Sequence, residues 1–142
     1  MLLRIMYSSE AAPGLATAEL EGMLAESRIR NRTHGISGVL VFVDGAFLQI
    51  LEGEKDDVLE LMARIERDPR HHDIKVFSEQ EVDERAFASW SMAYLGASAA
   101  DVATWAELEG ATTIANVLAS VERHPGRLPG MVVNILKALA KA

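Results

Sequence analysis

Apolar positions in this chain first alternate, then recur at helical spacing, and then alternate again. Residues 2–8 open the pattern as a strand in which Leu3, Ile5 and Tyr7 share one face. Pro13 and Gly14 interrupt it, after which Leu20, Met23, Leu24 and Ser27 follow at three- and four-residue steps. That spacing predicts a helix over 15–30, and one further step lands on Asn31, so its inward face ends polar. Two apolar runs, 36–43 and 46–51, flank Asp44-Gly45, a pair that accepts the positive φ angles of a tight turn. They read as a β-hairpin, with Gln49 interrupting the second strand in phase with Phe47 and Leu51. Glu54, Asp56 and Asp57 then load a helix start, where free N–H groups favour negative charge. Val58, Leu61, Met62 and Ile65 form that helix's buried stripe, and Asp68-Pro69 ends it. Strands are expected at 73–79 and 89–94, and helices at 112–123 and 129–142, parted by His124-Pro125-Gly126.

The resulting order, β-α-β-β-α-β with a fifth strand, predicts an α+β fold of the ferredoxin-like kind, with both early helices on one sheet face. The opposite face also needs cover, and the two C-terminal helices are assigned to it. This divides the chain into a core of 1–95 and a helical cap of 96–142. In such a sheet the first and third strands are central neighbours. Tyr7 and Gln49 would then lie side by side beneath the helices, with Asn31 arriving at the end of the first.

Composition narrows the function. The chain has 142 residues, 49% of them apolar, which is enough for one domain with a real core. It has no cysteine, which excludes disulfides, thiolate metal ligands and cysteine nucleophiles and suits the cytoplasm. A net charge of −7 argues against nucleic acid as a partner. No apolar run is long enough to span a membrane. His34, His71, His72 and His124 lack metal-ligand spacing, so no metal site is expected. A glycine-rich phosphate loop and a nucleophile elbow are both missing, so the chain does not read as an enzyme.

Five residues stand apart from this packing pattern: Tyr7, Asn31, Gln49, Trp90 and Met92. Singly, each has a plain explanation: a tyrosine packed at a strand edge, an asparagine capping or ending a helix, a glutamine facing solvent, and a tryptophan and methionine packed in the core or on the surface. Jointly they place two amides and a phenol in one buried slot. Buried amides need hydrogen-bond partners, and a planar heterocycle with alternating donors and acceptors supplies them.

With these residues in view, the chain resembles a BLUF domain, a blue-light sensor that binds flavin. The resemblance runs from Leu3 to Met92 and rests on motifs in the right order and spacing. They are Tyr7; Asn31 followed by Gly35-Ile36-Ser37-Gly38; the run 45–53 around Gln49; Ile65, Asp68 and His71; and the ending Phe87-Ala-Ser-Trp90-Ser-Met92. Arg32 stands where some members have asparagine, and Ser37 where threonine is more frequent.

The resemblance implies noncovalent FAD and a photoreceptor function. It implies Tyr7 as electron and proton donor, Gln49 as the bridge to the flavin, and Asn31 on the pyrimidine side with Arg32 and Arg64 nearby. Leu40, Phe47 and Ile65 would form the walls, with Asp68 and His71 also at the cofactor, and Trp90 and Met92 would relay the signal from the last strand. Output would go to an unidentified downstream protein or to self-association, with a homo-oligomer possible. Two other classes stay open on the residues alone: a ligand-free ferredoxin-like interaction module, and a small flavin-dependent or acylphosphatase-like enzyme.

Overall fold

The structure, a computed structural model, describes residues 1–109 and 113–141. It runs β1 (Leu2–Ala11), α1 (Thr17–His34), β2 (Ser37–Val43), β3 (Ala46–Glu54), α2 (Lys55–Glu66), β4 (His71–Val82), β5 (Ala93–Gly96), α3 (Ala99–Trp105), α4 (Ile114–Arg123) and α5 (Leu128–Lys141). The Asp-Gly pair makes the expected turn, with φ of 47° at Asp44 and 78° at Gly45. The five strands form one sheet in the order β4-β1-β3-β2-β5, antiparallel except where β5 runs parallel to β2. A side chain on Gly38 would collide with the Ile50 carbonyl, so the close approach of β2 to β3 requires glycine there.

Strand alternation sorts the apolar side chains onto two faces. Leu3, Ile5, Tyr7, Leu40, Phe47 and Leu51 pack with Leu20 and Leu24 of α1 and with Val58, Leu61 and Met62 of α2. Met6, Val39, Val41, Leu48 and Ile50 pack on the other side with Val102 of α3, Val117 and Val121 of α4, and Met131 and Ile135 of α5. Both faces of the central strands are therefore buried, as their unbroken apolar runs require. No helix among the described residues is long and apolar enough to cross a membrane.

Three expectations need correction. The fifth strand is Ala93–Gly96 and not 89–94. The Trp90 N–H instead donates to the Phe87 carbonyl at 3.0 Å, which turns the chain just before the strand. Trp90 and Met92 therefore do not share a strand face: Trp90 packs on the α3–α5 side and Met92 on the α1–α2 side. Helix α1 continues to His34 and closes on Gly35 at φ 65°, so Asn31 lies within its last turn. Finally, α3 has no counterpart among the expected elements. Ser98 opens it with a reciprocal capping box, its Oγ accepting from the Asp101 N–H while Asp101 accepts from the Ser98 N–H. Helix α4 begins at Ile114 under a Thr113 cap, and the expected helix ends at Thr112 and Ala142 lie outside the described residues.

Candidate functional site

The β1–β3 register sets Tyr7 directly opposite Gln49, on the face that α1 and α2 cover. The Tyr7 hydroxyl donates to Gln49 Oε1, and Gln49 Nε2 donates to the Met92 thioether at 3.4 Å. A thioether is a weak acceptor, so the amide nitrogen is poorly satisfied for a group that is only 7% exposed. From α1, Asn31 Nδ2 donates to the Ser91 carbonyl at 2.6 Å and Arg28 Nε to the Met92 carbonyl at 3.0 Å. The residues just before β5 are thus strung between α1 and β3.

Tyr7, Asn31, Leu40, Phe47, Gln49, Ile65, Asp68, His71 and Met92 all line one slot, together with Met23, Ser27, Arg30, Leu61 and Arg70. Burial pushes the Tyr7 phenol far above its ordinary range, and the Asp68 carboxylate adds to the effect. Tyr7 therefore keeps its proton and acts as a donor. Arg70 holds the Asp68 carboxyl below the usual range by donating into it, with Nη2 at 2.6 Å and Nε at 3.0 Å. His71 is fixed at both nitrogens, Nε2 at 2.8 Å from the Ile65 carbonyl and Nδ1 at 2.8 Å from Ser9 Oγ. A carbonyl cannot donate, so the proton of the neutral ring sits on Nε2 and Ser9 donates to Nδ1.

Two of the expected arginines are placed differently. Arg32 is exposed and does not line the slot, while Arg30 does. Each helical residue turns about 100°, so positions two apart face nearly opposite ways. Arg64 lies next door, in a hollow of about 280 Å³ that it lines with Arg30, Ile65, Arg67, Asp68 and Arg70. Four guanidinium groups thus gather at the mouth of the slot in an acidic protein. Trp90 does not line the slot; Met92 does.

Arg28, Arg30, Arg70 and Ser91 also belong to the site and are not among the residues expected there. Only Arg30 had a signal, as the neighbour of Asn31. A larger hollow of about 670 Å³ lies by the Asp44-Gly45 turn beneath α4 and shares no residue with the slot. Near it the exposed Glu10, His72 and Asp73 come together, with His72 Nε2 at 3.2 Å from Glu10.

The slot suits a flat polar heterocycle with a phosphorylated tail. Leu40, Phe47, Leu61 and Ile65 offer apolar walls, Gln49 and Asn31 offer amides, and the arginines at the mouth offer charge to phosphate.

Comparison with known proteins agrees with this chemistry. Residues 2–93 match the family described as BLUF, sensors of blue-light using FAD. The chain is 32% identical over 139 residues to photoactivated adenylate cyclase subunit beta of Euglena gracilis, and 31% identical to that of Euglena longa. These alignments take in 96% of this chain but 16% of each relative, so the chain spans about a sixth of their length. Among solved structures, the ground state of BlsA superposes with a TM-score of 0.79 at 30% identity, covering 94% of this chain and 89% of that one. The dark state of BlrB, a BLUF protein, gives 0.75 at 26% identity, covering 96% of both chains.

Proposed function

Because this chain belongs to the BLUF family, and is a blue-light photoreceptor with FAD as chromophore, we propose that the slot beneath α1 and α2 seats the flavin ring and that Tyr7 and Gln49 turn its excitation into a new hydrogen-bond pattern. The observation that carries this reading is the buried chain from the Tyr7 hydroxyl through the Gln49 amide to the Met92 sulfur.

Bound FAD supplies absorption of blue light and, once excited, a strong electron acceptor. Tyr7, which burial keeps protonated, would be the residue that supplies an electron and its hydroxyl proton to the excited chromophore and takes both back in the dark. Gln49 has an acceptor at one end and donors at the other. If its amide reverses, Nε2 faces the Tyr7 oxygen and Oε1 faces the Met92 sulfur. Two acceptors in contact repel, so Met92 is the group displaced. Asn31 spends Nδ2 on Ser91, which leaves Oδ1 to accept from the ring edge. Arg30, Arg64, Arg67 and Arg70 answer the charge of the FAD diphosphate, which riboflavin lacks.

Met92, and not Trp90, is the relay on the flavin side in this reading. The output passes through the residues before β5 to α3–α5, and from there to a second copy of the chain or another protein, neither of them a nucleic acid or a membrane. The 1–95 and 96–142 division serves here as sensor and output. A cytoplasmic setting is in keeping with the absence of cysteine. The Euglena relatives are named as cyclases, and the likeness to them is taken here as that of a light-sensing portion.

The test is Gln49→Leu, which is close in volume and suits a strand between Leu48 and Ile50. Flavin should stay bound and the fold should hold. Steady blue light should then produce no long-lived red-shifted absorption, whereas the unaltered protein should show one that reverses in the dark. A shift of ordinary size in Gln49→Leu would remove the amide from the mechanism.

A further inference from the structure

Glu52 lies on β3, three residues beyond Gln49, on the opposite face of the sheet and fully buried. A carboxylate in a core is costly unless its oxygens are fully engaged, and here they are. Its register neighbours are Arg4 on β1 and Ser37 on β2, so the three polar residues form a row across the sheet. Arg4 Nε donates to Oε2 at 2.9 Å, and Ser37 Oγ lies 3.4 Å from Oε1. Each oxygen also takes one backbone N–H from the chain between β4 and β5, Oε2 from Ala86 and Oε1 from Phe87, both at 2.8 Å. Arg85 strengthens the junction by donating to Ser37 Oγ at 2.9 Å and to the Glu52 carbonyl at 3.2 Å.

The pinned segment is the one that reaches the slot. The Phe87 carbonyl accepts from the Trp90 N–H, and the Trp90 carbonyl accepts from the Gly38 N–H at 3.1 Å. The next two carbonyls, of Ser91 and Met92, accept from Asn31 and Arg28, and the Met92 sulfur meets Gln49. One short piece of chain is therefore tied to β3 twice. Gln49 holds one end through a weak contact that light can change, and Glu52 holds the other through charge-assisted bonds that it cannot. Phe87, rooted beside the fixed end, is completely buried in the cluster that the sheet shares with α3–α5.

We propose that Glu52 is the positioning residue of the photocycle: its carboxylate is the fixed end of segment 86–92, against which displacement of Met92 works, and it thereby sets how long the lit state lasts. This rests on the assignment of the slot to flavin. Both ends of the segment are satisfied together only in the dark arrangement, so the hold at Glu52 is the restoring force.

The experiment compares two variants by dark-recovery rate after blue light and by backbone hydrogen exchange. In Glu52→Gln the side chain keeps its shape but has only one acceptor oxygen, so its NH2 must confront a backbone N–H of Ala86 or Phe87. Flavin loading and the red shift should remain, exchange at Ala86 and Phe87 should quicken in the dark, and recovery should slow about tenfold, the worth of one charge-assisted hydrogen bond. Arg85→Met keeps the buried carboxylate but removes the two bonds that brace its junction with the segment, to Ser37 Oγ and to the Glu52 carbonyl, so it loosens the same hold if Glu52→Gln does not fold; its recovery should slow in the same direction by less. Ser98→Ala weakens the cap of α3 away from the segment and should recover like the unaltered protein. Recovery at the unaltered rate in Arg85→Met and in folded Glu52→Gln would overturn the proposal, as would equal slowing in Ser98→Ala. An unaltered protein without a light-induced shift would instead overturn the flavin assignment on which it rests.

Discussion

Tyr7 can serve as donor because it is buried on a central strand with an amide oxygen in front of it and a carboxylate not far away. Tyr7→Phe deletes the hydroxyl and keeps the ring. Flavin should bind as before, the red shift should vanish, and fluorescence of the bound flavin should last longer because its quencher is gone. The same phenol predicts a pH effect on stability. In the unfolded chain it ionises near its ordinary value of about 10, while in the folded protein it keeps its proton well beyond that. Above that ordinary value the unfolded state has lost a proton that the folded state retains, so stability falls as pH rises. Burial also raises Tyr94, which adds to the fall with the same sign. Denaturation midpoints from neutral to pH ~11 should therefore drop less steeply in Tyr7→Phe than in the unaltered protein; equal slopes would mean that Tyr7 is not the titrating group.

Helix α1 contributes more than a lid. Arg28 and Asn31 stand three residues apart on one face, and together they hold two consecutive carbonyls ahead of β5. The segment they hold sends Met92 to the side of the sheet that α1 and α2 cover and Trp90 to the other. Substitutions at these two positions should therefore separate cleanly. Met92→Ala removes the acceptor facing Gln49 Nε2 and should move the dark absorption maximum of the flavin and change the recovery rate. Trp90→Phe should leave the maximum in place. A spectral change in Trp90→Phe alone would reverse the assignment of the relay.

The molecule is held together across the sheet. Val117, Met131 and Ile135 are completely buried against Met6, Val41, Leu48 and Ile50, so α3–α5 share a core with the sensor strands. Ile135→Ala should lower stability by about 2–5 kcal/mol, the usual cost of removing a large aliphatic side chain from a packed interior. Chemical denaturation measures it, and the flavin spectrum should stay unchanged because the sheet separates Ile135 from the slot. A loss below about 1 kcal/mol would mean that the cap packs more loosely than these contacts indicate.

Hydrophobic spacing alone determined most of the framework: the hairpin, the stripes of α1 and α2, the two helices of the cap and the buried character of the central strands. Those features are local, since a two-residue or 3.6-residue period already says which side chains face inward. Tyr7, Asn31 and Gln49 were legible for the same reason, being polar residues in phase with apolar ones. The structure alone decided the rest. Helix α3 is only seven residues long, too short to build a stripe, and its one signal was the Ser98–Asp101 capping pair. Arg30 and Arg32 are alike in composition, and only the rotation of the completed helix separates them. Segment 86–92 reads in its second half as a strand, which the folded chain does not make there. Its course is set by Glu52, 34 residues away from Ala86, and by Asn31, 60 residues away from Ser91. Such bonds exist only once the sheet has assembled, and for that reason the opposite directions of Trp90 and Met92 could not be read from the order of the residues.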